Sequence, residues 1–223
     1  LMNIRLYYPK IIAENMTALL SKEHIHYVVN VMRLKRGSNI NFFNKKGEWE
    51  SEIIFLEKDR VEVKFIKKIR EASSSSKIEL AICLVKKTPM DIILQKATEL
   101  GVNKIIPLVS ERSEVKELNY ERAKKIIIEA TEQSNQLSPP EISETIKLKD
   151  FLRNLDESTK LLFADVNSKE SLKADDLKEY RSLCILIGPE GDFSPSERKA
   201  ILESLTVKPF TISRNILRSD TAV

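Results

Sequence analysis

After residue 77 the chain alternates short apolar runs with helix-like segments, and this alternation constrains the fold more than any other feature. The apolar runs are typical of buried strands, and the segments between them carry helix start and stop signals. Such alternation predicts an α/β fold with a mainly parallel sheet and helices on both faces. The predicted strands are 78–85, 104–109, 142–146, 161–164, 183–187 and 207–212, and the predicted helices are 88–100, 120–133 and 195–205.

The first 70 residues have a different pattern, which is mainly that of strands. They predict a small β-rich domain, in the form of a barrel. A serine-rich stretch follows at 71–77 and is typical of a linker. We therefore predict a first domain at 1–70, a linker at 71–77 and a second domain at 78–223. The strand-like segments are 3–8, 39–44, 48–56 and 60–66, and one helix-like segment lies at 22–32.

Charge is distributed unevenly between these parts. Residues 1–70 hold 14 lysines and arginines against 8 acidic residues, a net of +6, whereas the remaining 153 hold 23 against 25, a net of −2. A basic segment attracts polyanions through counterion release, and nucleic acid is the commonest polyanion in the cytoplasm. A solvated basic surface would have the same composition, so charge alone leaves both interpretations open.

Composition also bears on the compartment and on metals. No apolar run approaches the roughly 20 residues that a membrane span requires, and the first ten residues lack the apolar core of a secretory signal. We therefore expect a cytoplasmic protein with no membrane partner. Cys83 and Cys184 lie inside strand-like runs and are expected to be buried, reduced thiols. Neither they nor His24 and His26 have metal-ligand spacing, so no metal is expected.

The loop after the predicted strand 183–187 is a candidate ligand site. Two of the five glycines, Gly188 and Gly191, lie three residues apart there, which indicates backbone freedom or close approach to a ligand. The loop contains Glu190 and Asp192 but no lysine, so it suits a cationic or neutral ligand better than a polyphosphate. Ser194 to Glu197 then has the residue types of a capping box, with proline at the first helical position. A tight turn before a capped helix is the alternative.

Two further loops leave the carboxyl ends of predicted strands and are expected beside it, at 163–165 and 213–217. The common nucleotide fingerprints are missing, since no GxGxxG follows the first strand and no GxxxxGK[ST] occurs. Rossmann dinucleotide binding and P-loop hydrolysis are therefore not expected.

Several motifs, in order along essentially the whole chain, match one known family. The chain resembles the RsmE family of 16S ribosomal RNA uridine N3-methyltransferases, of the SPOUT class. Its target is uridine 1498 in the decoding region of the small subunit. The matching segments are Arg5-Leu6-Tyr7, 26–33, 95–102, 107–113, Glu132-Gln133-Ser134, 187–191 and 216–222.

The chain departs from the family pattern at several positions. The family has glycine where Asn135, Asp192 and Ser213 stand. It has arginine at 136 and 215, where this chain has Gln136 and Asn215. Leucine is replaced by Ile212, and glutamate by Asp220.

The resemblance implies a PUA-like barrel followed by a trefoil-knotted SPOUT methyltransferase domain, which topology rules alone would exclude. It also implies a homodimer with Glu132-Gln133-Ser134 near the interface, and a further helix after Val223. The cofactor would be S-adenosylmethionine, held by three knot loops. The residues implied in cofactor binding are Phe163, Ala164, Ile187, Gly188, Pro189, Gly191, Ile212, Ser213, Asn215, Ile216 and Leu217.

The implied chemistry assigns further roles. Uridine N3 carries a proton at neutral pH, so a base must take it and a donor should stabilise the charge that spreads to O2 and O4. Arg218 is the candidate donor, and Glu190 and Asp220 are candidate bases. The RNA partner is 16S rRNA or the small ribosomal subunit, with expected contacts from Arg5, Arg33, Lys35, Arg36 and Arg112.

Two other functions remain open at this stage. One is a SPOUT ribose 2′-O-methyltransferase that acts on tRNA or rRNA. The other is an RNA-binding relative in which the departures have abolished catalysis.

Overall fold

The computed structural model describes residues 4–72, 77–173, 177, 180, 182–213, 215 and 217–223. Their contacts divide the chain into two compact units, each built around its own sheet. The first contains the described residues within Leu1–Ser74 together with Thr131–Ser138, and the second contains those within Ser75–Ala130 and Pro139–Val223. Residues 73–76 of the predicted linker lie outside the described residues.

The first unit is a five-stranded sheet with strand order β1-β3-β4-β5-β2. β1 is parallel to β3, and the other pairs are antiparallel. Buried aromatic side chains form its core, where Phe42 packs edge-on against Phe65 with ring centroids 5.7 Å apart. The strands are β1 (Arg5–Tyr7), β2 (Thr17–Leu19), β3 (Asn39–Asn44), β4 (Gly47–Leu56) and β5 (Val61–Glu71).

A buried carboxylate organises one side of this unit. Glu48 is 4% exposed and forms an ion pair with Arg5 at 3.0 Å, while Asn41 donates to the same carboxylate oxygen. The Arg5 guanidinium also donates to the carbonyls of Glu132 and Gln136, both at 2.9 Å, and lies 4.3 Å from the centre of the Phe43 ring. Segment 131–138 is therefore held to the sheet by charge-assisted hydrogen bonds.

Asn135, at the centre of that segment, has a left-handed backbone with φ of 62°. Its side-chain oxygen and its carbonyl both accept from the Arg70 guanidinium, at 2.7 and 2.6 Å. Asparagine adopts this conformation more readily than most residues other than glycine. The family's glycine is thus replaced here by a residue that keeps the turn and adds an acceptor for Arg70.

The second unit is a seven-stranded sheet in which every strand pair is parallel. The order is β12-β10-β11-β6-β7-β8, and β9 also pairs with β7. Buried apolar residues cover both faces of the sheet, as its predicted α/β class requires. The strands are β6 (Lys77–Cys83), β7 (Lys104–Val109), β8 (Glu141–Ile142), β9 (Ile146–Lys147), β10 (Thr159–Ala164), β11 (Ser182–Ile187) and β12 (Val207–Phe210).

The helices are α1 (Lys22–His26), α2 (Lys87–Glu99), α3 (Tyr120–Gln133), α4 (Leu148–Arg153), α5 (Pro195–Leu202) and α6 (Ser219–Ala222). Within the described part of the chain, no helix has the length and apolar character needed to cross a membrane.

Some predicted elements differ from the observed ones. The predicted helix at 22–32 is α1 followed by a π-helical turn at Tyr27–Val31, a segment that contains three β-branched valines with low helix propensity. The predicted strand at 142–146 is wrong, because Ile142 and Ile146 pair with β7 separately, as parts of β8 and β9. The sequence patterns did not predict β2, α4 or α6.

Candidate active site

The site lies where the parallel strands of the second unit end. Their carboxyl ends share one edge of the sheet, so the loops after β10, β11 and β12 emerge side by side. Among the described residues, several hydrogen bonds join these loops or the elements that border them. The Asp165 amide donates to the Phe210 carbonyl at 3.0 Å, and the Ser219 hydroxyl donates to the Gly188 carbonyl at 3.2 Å. The structure therefore brings together the three loops that the sequence singles out.

At Gly188, packing rather than backbone conformation disfavours a side chain. Among the described residues, neither Gly188 nor Gly191 has a positive φ, so of the two expectations for this pair a left-handed backbone is not met, and close approach to a ligand stays a prediction. A Cβ at position 188 would lie 3.0 Å from Cε2 of Phe193, whose ring is buried against Phe163. At Gly191 the nearest described atom to a Cβ would be the Arg112 Cβ at 3.8 Å, an ordinary contact.

The left-handed residue of this loop is Asp192, which replaces a glycine of the family pattern. Its φ is 59°, and its carboxylate accepts from the amide of Phe193 at 2.7 Å. Aspartate is among the residues that tolerate this region because its short side chain bonds locally. The departure therefore keeps the backbone turn that a glycine would make.

The start of α5 is fixed by the capping box that the sequence predicts. The Ser194 hydroxyl accepts from the Glu197 amide at 3.2 Å, and the Glu197 carboxylate accepts from the Ser194 amide at 3.0 Å. The other Glu197 oxygen accepts from the amide of Glu111 at 2.8 Å, in the loop after β7. From the same loop, Arg112 donates to the Gly191 carbonyl at 3.1 Å. A fourth loop thus supports the glycine loop.

An ion pair between buried Asp165 and half-buried Arg198 lies next to two of these loops. Asp165 is 3% exposed, and its carboxylate accepts from Arg198 at 2.6 Å and from the Asn167 amide at 3.0 Å. Burial alone would raise the pKa of Asp165, but the hydrogen bonds from Arg198 and Asn167 outweigh it and hold the pKa below its usual value. The carboxylate is therefore ionised at neutral pH. The sequence reading missed the pairing with Arg198, which no spacing pattern indicates.

The three predicted catalytic residues are accessible to different degrees. Arg218 is exposed, with 72% of its side-chain surface open, and forms an ion pair with Asp220 at 3.3 Å. The Asp220 side chain is 14% exposed, whereas Glu190 is exposed. Arg218 and Asp220 are therefore paired with each other, while the Glu190 carboxylate faces solvent.

The predicted cofactor-binding residues form a partly apolar edge. Phe163, Ile187 and Pro189 are buried. Ile216 lies outside the described residues. The half-buried members are Ala164, Gly188, Ser213 and Leu217, and the exposed members are Gly191, Ile212 and Asn215.

The predicted RNA contacts divide in the same way. Arg33, Lys35 and Arg36 are exposed in the first unit, and Arg112 is exposed in the second. The Arg5 side chain is only 12% exposed, because Glu48 and two carbonyls bind it. This placement gives Arg5 a role inside the first unit and speaks against phosphate contact.

Comparison with known proteins places this arrangement in a family. The RNA methyltransferase domain matches residues 72–223, and the RNA methyltransferase PUA domain matches residues 20–66. A Rickettsia conorii protein named Ribosomal RNA small subunit methyltransferase E is 32% identical, over 98% of this chain and 91% of its own length. The chain belongs to the RsmE family of RNA methyltransferases. The resemblance carried by its motifs is thereby confirmed, as is the α/β class with a PUA-like domain before the methyltransferase domain.

Two solved structures are similar to this chain over nearly the whole length of both partners. The crystal structure of Ribosomal RNA small subunit methyltransferase E from Neisseria gonorrhoeae, bound to S-adenosyl methionine, is 27% identical with a TM-score of 0.88. It covers 99% of this chain and 93% of its own. A Legionella pneumophila methyltransferase in complex with the bound cofactor SAM is 30% identical with a TM-score of 0.86. The match covers 100% of this chain and 94% of the Legionella chain.

Groups of three or more His, Cys, Asp or Glu side chains that could hold a metal ion do not occur among the described residues. Cys83 and Cys184 are buried, and burial raises the pKa of each thiol to about 12. Such thiols are inert at neutral pH.

Proposed function

We propose that this protein transfers a methyl group from S-adenosylmethionine to N3 of a uridine in 16S rRNA, at the family's target position. The observation that carries the proposal is the meeting of three strand-end loops at one sheet edge, fastened by Ser219 and Asp165. In a parallel sheet this edge is the usual place for a ligand.

The residues at this edge fit S-adenosylmethionine, which is cationic at sulfur and at its amino group. Exposed Glu190 and the Asp220 carboxylate provide negative charge nearby, and Ala164 and Leu217 provide half-buried apolar surface. Gly188 and Gly191 have no side chain of their own to cover their backbone groups. When bound, this cofactor supplies an electrophilic methyl group, so that the chain must bind, orient and deprotonate the uracil.

We assign donor and base roles from the local charges. Arg218 is accessible and next to the loop after β12, so it can donate to a uracil oxygen as negative charge develops. Glu190 is the preferred base, because its carboxylate is exposed, whereas the Asp220 carboxylate is occupied by its ion pair with Arg218. Alignment of the methyl group with N3 would supply much of the remaining acceleration.

RNA binding is assigned to exposed basic residues. Arg33, Lys35 and Arg36 lie on the first unit, and Arg112 lies beside the glycine loop. Because N3 is on the Watson–Crick edge, a paired target base has to be opened or flipped. By family resemblance we further expect the trefoil knot, a homodimer with Glu132-Gln133-Ser134 near its interface, and a cytoplasmic location with ribosomal RNA.

The direct test is nucleoside mass mapping of 16S rRNA from cells with and without the gene, followed by complementation. We expect N3-methyluridine to disappear at one position and to return with the wild-type chain. A methyl group on a ribose would instead identify a 2′-O-methyltransferase. Failure of the complete, folded chain to bind S-adenosylmethionine in calorimetry would identify an inactive RNA-binding relative.

The role of Arg218 has its own test. We expect Arg218→Ala to lower turnover by about 100-fold, the usual loss for a transition-state donor, with little change in cofactor affinity. Arg153→Ala, which removes another exposed arginine of the second unit, is the matched control. An equal loss of turnover and cofactor affinity would make Arg218 a binding residue instead.

A further inference from the structure

The ion pair between Asp165 and Arg198 is the feature that the proposed function leaves unexplained. Among the described ion pairs of the second unit it contains the most buried acid, since the Asp165 side chain is only 2% exposed. Two guanidinium nitrogens approach the two carboxylate oxygens, at 2.6 and 3.4 Å. Desolvation makes a buried pair expensive, so it is weak evidence for stability by itself.

The position of the pair relates it to all three proposed cofactor loops. Asp165 follows Phe163 and Ala164 directly, and its amide bonds to Phe210, the last residue of β12. Arg198 lies on α5, one turn after Ser194, and its amide donates to the Ser194 carbonyl at 2.8 Å. Ser194 ends the glycine loop. The side-chain pair therefore connects the end of β10 to the end of the glycine loop, and the Asp165 amide connects the same point to the end of β12.

A second carboxylate, that of Asp192, also relates Arg198 to the glycine loop. The carboxylate of Asp192, the left-handed residue of the glycine loop, also acts on Arg198 and, together with Asp165, raises the pKa of that guanidinium. The Asn167 amide occupies one oxygen of Asp165, which fixes the turn that follows β10. A planar guanidinium can hold both partners in fixed directions, whereas a lysine ammonium is a point charge.

We propose that Asp165 and Arg198 are a positioning pair that holds the three loops in the geometry required to bind S-adenosylmethionine. This inference rests on the proposed function. The pair acts through the backbone of residues 163–164 and 188–193 and does not itself contact the cofactor. Without the oriented hydrogen bonds of this pair the loops shift relative to one another. Shifts of about 1 Å in such sites lower the reaction rate strongly.

The experiment separates position from charge. Arg198→Lys keeps the positive charge beside Asp165 but loses the planar, two-nitrogen contact. We expect its melting temperature to stay within about 4 °C of wild type, since the buried carboxylate remains compensated. We expect the Kd for S-adenosylmethionine, measured by calorimetry on the full chain, to rise about tenfold. Turnover at saturating cofactor should fall by a similar factor.

Two more variants complete the test. Arg153→Lys makes the same change in an exposed ion pair of the second unit and should leave melting temperature, Kd and turnover at wild-type values. Asp165→Asn keeps the acceptor for the Asn167 amide and, where it folds, should weaken cofactor binding at least as much as Arg198→Lys.

The outcomes are distinct. An Arg198→Lys variant with wild-type Kd and turnover would overturn the positioning role, as would an affinity that declines only in proportion to melting temperature across the series. If the folded wild-type chain binds no S-adenosylmethionine, the proposed function fails and the positioning role fails with it. Wild-type binding together with a tenfold weaker, equally stable Arg198→Lys supports both.

Discussion

Among the described residues, each unit contains one nearly inaccessible carboxylate, and the two are used differently. Glu48 in the first unit faces Arg5 at 3.0 Å and Arg70 at 3.9 Å, and these arginines go on to bind segment 131–138. Asp165 in the second unit pairs with Arg198, its one arginine partner in the described part of the chain, and lies at the edge where the ligand loops emerge.

The two carboxylates differ in whether folding stability alone, or function as well, depends on them. Glu48 is the centre of a network that joins two distant parts of the chain, so its loss should appear mainly as lost folding stability. Asp165 is close to the proposed cofactor loops, so its loss should appear in function as well as in stability. Variants of the two networks can therefore test this contrast directly.

The largest effect is expected for Glu48→Gln. The substitution removes the charge that compensates two arginines, of which Arg5 is almost buried, and should lower the free energy of unfolding by about 3 kcal/mol. Urea unfolding of the full chain measures it. Glu50→Gln, on the same strand, breaks the exposed pair with Lys67 and should cost less than about 1 kcal/mol. Equal costs for both variants would contradict the network.

A pH dependence is expected next for the second unit. Because the pKa of Asp165 is lowered in the folded state, its ionisation stabilises the fold above its unfolded pKa of about 4, and this contribution is lost as pH falls through the lower folded pKa. At pH 7 the free energy of unfolding of the wild type should exceed that of Arg198→Gln by about 2 kcal/mol. This is less than a fully buried pair would contribute, because Arg198 is one-third exposed and solvent screens it. Urea unfolding of both proteins at pH 7 and pH 3 should show a smaller difference in their free energies of unfolding at pH 3. A gap independent of pH would exclude this charge as the cause.

Asn135→Ala should cost nearly as much, about 2 kcal/mol. It removes the side-chain acceptor for Arg70 and leaves a residue that resists positive φ. Asn135→Gly keeps the turn and the backbone acceptor, so it should recover about half of that loss. Chemical denaturation of both variants measures the difference, and an unchanged stability for Asn135→Ala would mean that Arg70 does not hold this segment.

Gly188→Ala should destabilise by about 1 to 2 kcal/mol, because the new methyl group overpacks against the buried Phe193 ring. Gly191→Ala meets only an ordinary contact and serves as the stability control. Thermal unfolding of the two variants side by side would reveal whether the distinction holds.

The smallest effect is expected for Asp192→Gly, within about 0.5 kcal/mol of wild type in urea unfolding. Glycine adopts the left-handed backbone without strain, which offsets loss of the bond to the Phe193 amide. Asp192→Ala should cost about 1 kcal/mol. If Asp192→Gly proved the worse of the two, the side chain rather than the backbone would be what matters at this position.

Sequence patterns predict most of the second unit because its elements have local signals. The range of β7 and the capping box of Ser194 are observed as predicted, since apolar runs and caps are decided by neighbouring residues. Helix α5 ends at Leu202 rather than at 205, and Leu205 is exposed. The partners of Arg198, Arg5 and Ser219 are distant in sequence, and no periodicity encodes them. The packing need at Gly188 likewise depends on where the Phe193 ring lies.

Asn135 and Asp192 also affect how relatives of this protein should be recognised. Each stands where the family pattern has glycine, and each keeps the left-handed backbone that glycine would supply, at φ of 62° and 59°. A search pattern that insists on glycine would reject this chain at both places, although the turn survives. Patterns for such loops should instead score a permitted backbone state, which treats asparagine and aspartate as equivalents of glycine.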